Sequence, residues 1–181
     1  SEMCIRDSLY IYAAKKLEEK GVKFDLSNTT ILHLGGWKKL QSQATDKATF
    51  NQTMTNVFGV KEENIIDCYG FTEQLGVVYL DGEDGIKRTS TVSEIIVRDP
   101  LTLLPCKDGD EGILEFLTPL PLSYPGNAIL TDDVGRIISR NKGNDGRQGT
   151  AFEILGRRKK AEIRGCGDIL SENMNTIERK I

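Results

Sequence analysis

The most constraining feature of this 181-residue sequence is a series of short apolar segments separated by turn dipeptides. Four of these segments have the composition of strands, at residues 76–80, 94–98, 112–117 and 136–139. The dipeptides that punctuate them are Asp81-Gly82, Asp84-Gly85, Asp99-Pro100 and Asp108-Gly109. Glycine, proline and aspartate favour tight turns, and short strands joined by tight turns pair in antiparallel fashion. The pattern therefore predicts a small antiparallel β subdomain.

A different pattern precedes this segment. Residues 9–20 predict a helix, and residues 46–58 predict a second one with Asp46 as its cap and Gly59 as its end. The apolar positions at helical spacing in the first helix are Leu9, Tyr12, Ala13 and Leu17. Residues 29–34 and 64–67 have the composition of short buried strands. The predicted fold class is α/β: an α/β region followed by a small antiparallel β subdomain.

Composition argues against several classes of function. The chain is 38% hydrophobic and 28% charged, which is typical of globular proteins, and its net charge of −3 gives no basis for bulk binding to nucleic acid or to an anionic membrane. No apolar stretch approaches the roughly 20 residues that cross a bilayer. The cysteines are Cys4, Cys68, Cys106 and Cys166. None forms a C-x-x-C pair, so we expect no zinc site and predict free thiols in a cytoplasmic protein.

The first eight residues are expected not to belong to the folded protein. Their codons can match a transposase adapter that is used in shotgun sequencing libraries, so we expect residues 1–8 to be translated adapter. Under this hypothesis the gene extends upstream and the chain is a fragment. The predicted division is then 9–155 for the C-terminal half of a larger N-terminal domain, 156–160 for a hinge, and 161–181 for a short C-terminal segment.

Tyr69-Gly70-Phe71-Thr72-Glu73 follows directly on a predicted strand that ends with Asp67. A tyrosine ring can stack on a nucleobase, and a glycine lets the backbone approach a ligand. A threonine hydroxyl can bind a phosphate oxygen, and a glutamate can hold Mg²⁺ beside phosphates. The alternative is a packed tyrosine followed by the start of a helix.

Two further motifs follow in order. The carboxylates of Thr131-Asp132-Asp133 could grip ribose hydroxyls in a bidentate manner, although an aspartate-rich turn is the simpler interpretation. Gly156-Arg157-Arg158-Lys159-Lys160 could contact a nucleotide and act as a hinge, although most basic runs are solvated faces. The order of the three motifs, and not any one of them, favours a nucleotide site.

In this order the motifs resemble those of the adenylate-forming superfamily, which includes acyl-CoA ligases and luciferase-like enzymes. The resemblance implies that ATP is bound by the 67–73 segment, with Tyr69 and Gly70 at adenine, Thr72 at phosphate and Glu73 at Mg²⁺. It further implies that Asp133 holds ribose, Arg157 reaches the nucleotide, Lys159 is the hinge, and Gly35 and Gly36 lie beside adenine. One departure is that Asp132 replaces the glycine of the family's Thr-Gly-Asp segment.

The sequence most closely resembles one branch of this superfamily, the acyl-protein synthetases, which include the synthetase subunit of the bacterial luminescence fatty-acid reductase. The segments that carry the resemblance are His33-Leu34-Gly35-Gly36-Trp37-Lys38, Ser123-Tyr124-Pro125-Gly126-Asn127-Ala128, residues 130–135 and Ile163-Arg164-Gly165-Cys166. The resemblance implies activation of a fatty acid to an acyl-adenylate, transfer of the acyl group to a cysteine of the enzyme, and delivery to a partner reductase.

Cys166 is the candidate acyl acceptor. It stands between Gly165 and Gly167, so neighbouring side chains leave it open to attack, and Arg164 favours its thiolate. An inert buried thiol is the alternative. His33, the only histidine, could line the acyl pocket or simply pack within its strand.

The phosphate loop of the superfamily is missing from this sequence, and we expect it upstream. The chain alone is therefore predicted to be inactive in ATP–pyrophosphate exchange. Two rival functions stay open: a ligase of the same superfamily that transfers the acyl group to coenzyme A, and a non-catalytic nucleotide-binding or scaffold domain.

Overall fold

A computed structural model describes residues 7–34, 45–140, 143 and 146–158 of the chain. The described part divides into two compact units, one ending at Asp67 and the other beginning at Cys68. The first unit contains helix α1 (Asp7–Glu19), strand β1 (Ile31–Leu34), helix α2 (Lys47–Phe58) and most of strand β2 (Ile65–Tyr69). The predicted division at a hinge over 156–160 stays a prediction, because residues from 159 onward lie outside the described part.

The second unit is built from short strands. They are β3 (Tyr79–Leu80), β4 (Lys87–Arg88), β5 (Glu94–Arg98), β6 (Gly112–Leu117), β7 (Ala128–Ser139) and β8 (Ala151–Arg157). Five of them form an antiparallel sheet in the order β4-β8-β7-β6-β5, and the last two residues of β2 pair with β3. The α/β fold with an antiparallel β subdomain, predicted from the turn dipeptides, is confirmed.

Helix α2 begins and ends where the sequence indicates. The side chain of Asp46 accepts a hydrogen bond from the backbone N–H of Thr49 at 2.9 Å, which satisfies a donor at the open end of the helix. Gly59 ends the helix in the left-handed region, with φ of 68°. A Cβ at this position would lie 2.7 Å from the carbonyl oxygen of Phe24, so both the conformation and the space require glycine.

Helix α1 forms where the sequence predicts it, but only part of the apolar set that indicated it packs against the core, as Leu17 does. Ile11 and Ala14 are buried, whereas Leu9 and Tyr12 are exposed. Both sets have helical spacing, so periodicity alone did not distinguish them; packing against α2 did, with the ring of Tyr10 edge-on to Phe50 at 6.2 Å. The core of this unit consists of Ile11, Ala14, Ile31, Phe50, Met54, Val57, Val60 and Ile65.

Strand β7 is much longer than the predicted strand at 136–139. It begins at Ala128, so Thr131, Asp132 and Asp133 lie within a strand and not in the turn that the sequence suggested. The strand is longer because β6 pairs with β7 on both sides of an irregularity that contains Thr131, Asp132 and Asp133, and a bulge of this kind lets a strand continue through polar residues. The core of the second unit consists of Val77, Tyr79, Ile95, Val97, Leu114, Phe116, Ile137 and Phe152.

Within the described residues, we find no helix with both the length and the apolar composition needed to cross a bilayer.

Candidate functional site

Tyr69 and Asp133 meet in the second unit. Tyr69 is the last residue of β2, and its hydroxyl donates a hydrogen bond to the carboxylate of Asp133 on β7, with 2.6 Å between Oη and Oδ2. The tyrosine ring packs among Phe71, Tyr79 and Phe116, with ring centroids 5.5 to 6.3 Å apart. The ring of Tyr69 is therefore packed, as the alternative interpretation of this motif expected. The predicted stacking on adenine stays a prediction.

Burial raises the pKa of Tyr69, and the nearby carboxylate of Asp133 raises it further. A phenolate beside a carboxylate in a partly buried position would bring two negative charges together. The hydroxyl therefore stays protonated and remains a donor. The protonated hydroxyl donates its hydrogen bond to Asp133, and this bond fixes the orientation of the Asp133 carboxylate.

Arg157 completes this cluster. It lies opposite Asp133 in the register of β7 and β8, and its Nε is 3.7 Å from Asp133 Oδ1. The neighbouring Asp132 is farther, with 4.0 Å between its Oδ2 and Arg157 Nη2. The backbone of Asp133 is also held in place, because its N–H donates a hydrogen bond to Thr131 Oγ1 at 3.2 Å. The structure thus brings together Tyr69, Asp133 and Arg157, which the sequence predicted at one site.

Thr72 and Glu73 form an exposed turn immediately after Tyr69. A short 3-10 helix spans Thr72–Gln74, and the Thr72 hydroxyl donates to Glu73 Oε2 at 3.2 Å. Magnesium is commonly held by one or two protein carboxylates together with phosphate oxygens and water. An exposed carboxylate with a hydroxyl beside it fits that chemistry, so Glu73 could hold Mg²⁺ and Thr72 a phosphate oxygen.

Gly70 lies between the tyrosine and this turn. A Cβ at Gly70 would be 3.7 Å from the carbonyl oxygen of Val77 and 3.8 Å from a methyl group of Val78, which are ordinary contacts. The fold itself therefore has room for a side chain here. A glycine that the fold does not require is compatible with the predicted close approach of a ligand.

Asp67 and His33 belong to the first unit. His33 is buried, its Nδ1 lies 2.8 Å from Asp7 Oδ1 and 3.9 Å from Asp67 Oδ1, and its ring packs against Phe50 at 4.5 Å. This is the packed histidine that the sequence left as one alternative. The assignment of Asp67 to ATP binding stays a prediction.

Other predicted site residues lie outside the described part of the chain. These are Gly35, Gly36, Trp37, Lys38, Lys159 and Cys166. Conversely, sequence reasoning missed Gln74, whose side chain is buried at the end of this turn, and Gly126, which contacts the backbone of Glu73. The only available signals were that Gln74 follows the motif directly and that Gly126 lies in a segment that carried the family resemblance.

The fold is that of known enzymes. A crystal structure of 2-hydroxyisobutyryl-CoA ligase in complex with 2-HIB-AMP and CoA matches with a TM-score of 0.67 at 16% identity, over 86% of this chain and 33% of that chain. A long-chain-fatty-acid–CoA ligase from Archaeoglobus fulgidus matches with a TM-score of 0.58 at 14% identity, over 84% and 33%. The described residues therefore share the fold of part of these ligases.

The sequence narrows this class to one family. The acyl-protein synthetase family, LuxE, matches residues 3–175, and the chain belongs to it. Two relatives are long-chain-fatty-acid–luciferin-component ligases. The one from Vibrio harveyi is 33% identical over 76% of this chain and 35% of its own length. The one from Aliivibrio fischeri is 30% identical over 91% of this chain and 43% of its own length. The match thus spans less than half the length of either relative.

Proposed function

We propose that the protein to which this chain belongs activates a fatty acid with ATP and then transfers the acyl group to the thiol of Cys166. In the first step a carboxylate oxygen of the acid bonds to the α-phosphorus of ATP, and pyrophosphate leaves. In the second step the Cys166 thiolate bonds to the acyl carbon, and AMP leaves. The observation that carries this proposal is the cluster of Tyr69, Asp133 and Arg157 in a chain of the acyl-protein synthetase family.

Asp133 and Arg157 would bind the ribose end of the nucleotide. Tyr69 fills one carboxylate oxygen of Asp133 and leaves Oδ1 to accept from a ribose hydroxyl. Arg157, whose side chain is 42% exposed, is near enough to Asp133 to contact the same ribose and can also turn towards a phosphate. These groups position the nucleotide; they do not take part in bond making.

The Thr72–Glu73 turn would serve the phosphate end. Mg²⁺, when bound, would neutralise the charge that develops on the phosphates as pyrophosphate leaves. Glu73 would hold that ion, and the Thr72 hydroxyl would donate to a phosphate oxygen. Both side chains are exposed on one turn, so they could act on the same phosphate group.

The acyl acceptor is the sharpest part of the proposal to test. We expect full-length protein given labelled fatty acid and ATP to acquire a label that hydroxylamine releases, because hydroxylamine cleaves thioesters. Cys166→Ser should abolish that label, whereas Cys106→Ser, a matched cysteine in the β sheet unit, should keep it. Release of acyl-CoA without labelled protein would favour the coenzyme A ligase. Wild-type activity in Thr72→Ala and Glu73→Ala would favour a non-catalytic domain.

The downstream partner follows from the same chemistry. An acyl group held as a thioester is activated for reduction or transfer, so we infer an acyl-acceptor protein, such as a reductase, that takes it from Cys166. The reaction consumes ATP, which agrees with the cytoplasmic location expected from the cysteines. Loss of the protein-bound label on addition of a reductase and its reduced cofactor would support this partner; a label that is stable towards every acyl acceptor would contradict it.

A further inference from the structure

The turn that carries Thr72 and Glu73 has little internal support. It is a 3-10 helix of three residues with no side-chain cap, and one backbone hydrogen bond closes it, from Gln74 N–H to Phe71 O at 3.2 Å. A single turn of this kind is not stable by itself in water. Contacts with the rest of the unit must therefore fix the direction in which Glu73 points.

The side chain of Gln74, the last residue of the turn, makes such contacts. It is 1% exposed, although the neighbouring Leu75 is 75% exposed. Its Nε2 donates to the backbone carbonyl oxygens of Phe116 at 3.3 Å and Gly126 at 3.4 Å. Its Oε1 accepts from the Tyr79 hydroxyl at 3.1 Å. Both amide hydrogens and the amide oxygen are thus engaged, which holds the side chain in one orientation.

The groups that form hydrogen bonds with Gln74 are themselves held in place. Phe116 lies near the end of β6 and Tyr79 in β3, and both side chains are buried. The loop of Gly126 is tied to the end of β6, because Thr118 N–H donates to the carbonyl of Asn127 at 2.9 Å. A buried network in which every group is satisfied restricts motion more than its separate bonds would.

Gly126 lets this loop approach the turn closely. A Cβ at position 126 would lie 2.7 Å from the carbonyl oxygen of Glu73, and that neighbour is backbone, which cannot rotate aside. The Gly126 loop therefore contacts the backbone of Glu73 directly, while Gln74 is bonded to the same loop. The backbone of Glu73 is thus held by its contact with Gly126 and by the hydrogen bonds that the next residue, Gln74, forms.

We propose that Gln74 is a positioning residue that fixes Glu73 for Mg²⁺ binding at the nucleotide phosphates. This inference rests on the proposed function, in which Glu73 holds the ion. Gln74 does not touch the ion or the nucleotide. It acts through the backbone of the turn, and its loss would let the carboxylate occupy several directions, only one of which faces the phosphates.

The test is the dependence of nucleotide binding on Mg²⁺ in the full-length protein. The probe is α,β-methylene-ATP, whose bridging carbon prevents the reaction, and calorimetry gives its Kd with and without Mg²⁺. The ratio of the two Kd values measures how much the ion strengthens binding. We expect Gln74→Leu to lower that ratio about tenfold, which is the range typical of groups that orient a metal ligand.

Two variants separate positioning from mere stability. Val97→Ala removes core volume from β5 but none of the hydrogen bonds of Gln74, and should lower Tm while leaving the Kd ratio within about twofold of wild type. Gln74→Glu keeps the shape but, when ionised, faces two carbonyl oxygens. Because an ionised carboxylate has no proton to donate to these carbonyl oxygens, we expect Gln74→Glu to lower the Kd ratio as Gln74→Leu does.

Glu73→Gln distinguishes failure of this inference from failure of the proposed function. If Glu73→Gln lowers the ratio and Gln74→Leu does not, Gln74 does not position Glu73 and the inference is overturned alone. If neither variant lowers the ratio, or wild-type protein does not bind the analogue, the proposed nucleotide site is wrong as well. A Val97→Ala effect as large as that of Gln74→Leu would reduce the role of Gln74 to stability.

Discussion

The hydroxyl of Tyr69 donates a hydrogen bond to Asp133 across 64 positions of the chain, with 2.6 Å between Oη and Oδ2. One carboxylate oxygen of Asp133 is thereby occupied, and the other lies 3.7 Å from Arg157 Nε. A ribose hydroxyl that binds Asp133 would share Oδ1 with Arg157 or displace it. Under the proposed function, the geometry of this pair would determine how the nucleotide is held.

Tyr69→Phe should weaken nucleotide binding while keeping the aromatic packing. The variant removes only the hydroxyl, so Asp133 loses the donor that orients it. Hydrogen bonds to charged groups contribute about 1.5 to 3 kcal/mol, so we expect KM for ATP to rise about tenfold in ATP–pyrophosphate exchange by the full-length protein. Tyr124→Phe, at an exposed tyrosine, is the matched control and should behave as wild type. An unchanged KM in Tyr69→Phe would contradict the role of the pair.

Asp133→Asn and Asp132→Asn should differ, although the two residues are adjacent. Asp133 accepts from Tyr69, whereas the Asp132 side chain is 49% exposed and its Oδ2 lies 4.0 Å from Arg157 Nη2. We expect Asp133→Asn to raise KM for ATP at least tenfold and Asp132→Asn to change it less than about threefold. Substituting 2′-deoxy-ATP should add little to the Asp133→Asn defect if this carboxylate holds the ribose. Equal effects of the two variants would show that the assignment of ribose binding to Asp133 is wrong.

Gly70→Ala should leave stability nearly unchanged and impair nucleotide binding. The added methyl group would make only ordinary contacts, the shortest at 3.7 Å to Val77, so the folded chain accommodates it. A ligand that approaches the backbone there would meet the methyl group, and we expect its Kd to rise about tenfold. Calorimetric titration with the ATP analogue and urea unfolding measure the two effects. Tight binding by Gly70→Ala would remove the reason for a ligand at this glycine.

Gly126→Ala is the matched glycine variant, and it should lower stability where Gly70→Ala does not. Its methyl group would lie 2.7 Å from the carbonyl oxygen of Glu73, so the backbone must move. Overpacking of this kind costs about 1 to 3 kcal/mol of the free energy of unfolding. Urea unfolding should show that loss, in contrast to Gly70→Ala.

Stability should fall at alkaline pH in a manner that depends on Tyr79. Burial raises the pKa of Tyr79 to about 12, from the ordinary value of 10.0. Between these values the unfolded chain releases the phenolic proton while the folded chain keeps it, so the free energy of unfolding decreases as pH rises through this window. One such group contributes a slope of at most about 1.4 kcal/mol per pH unit.

Tyr79→Phe therefore should flatten the pH dependence between pH 10 and 12. The variant also loses the hydrogen bond to Gln74, which lowers stability by about 1 kcal/mol at every pH. The change in slope, measured by urea unfolding at several pH values, is therefore the informative quantity. A slope equal to that of wild type would contradict retention of the Tyr79 proton in the folded chain.

Local signals predicted the elements well where a single segment contained its own instructions. Asp46 and Gly59 could be predicted as the two ends of helix α2, because the cap hydrogen bonds involve residues within four positions of each end. The turn dipeptides predicted the antiparallel subdomain for the same reason. Prediction failed where two local patterns were equally good, as in α1, or where pairing extended an element, as in β7.

The sequence by itself determined the order of the nucleotide-site motifs and the family, because both are read from residue types at fixed spacings. Only the tertiary structure decided that Tyr69 donates to Asp133 and that Gln74 lies buried beneath Glu73. These contacts join residues 42 to 64 positions apart, and their geometry depends on the register of β7 and β8 and on the packing of Phe116 beneath the turn. Strand register is set by burial of a whole sheet face, which no local segment specifies.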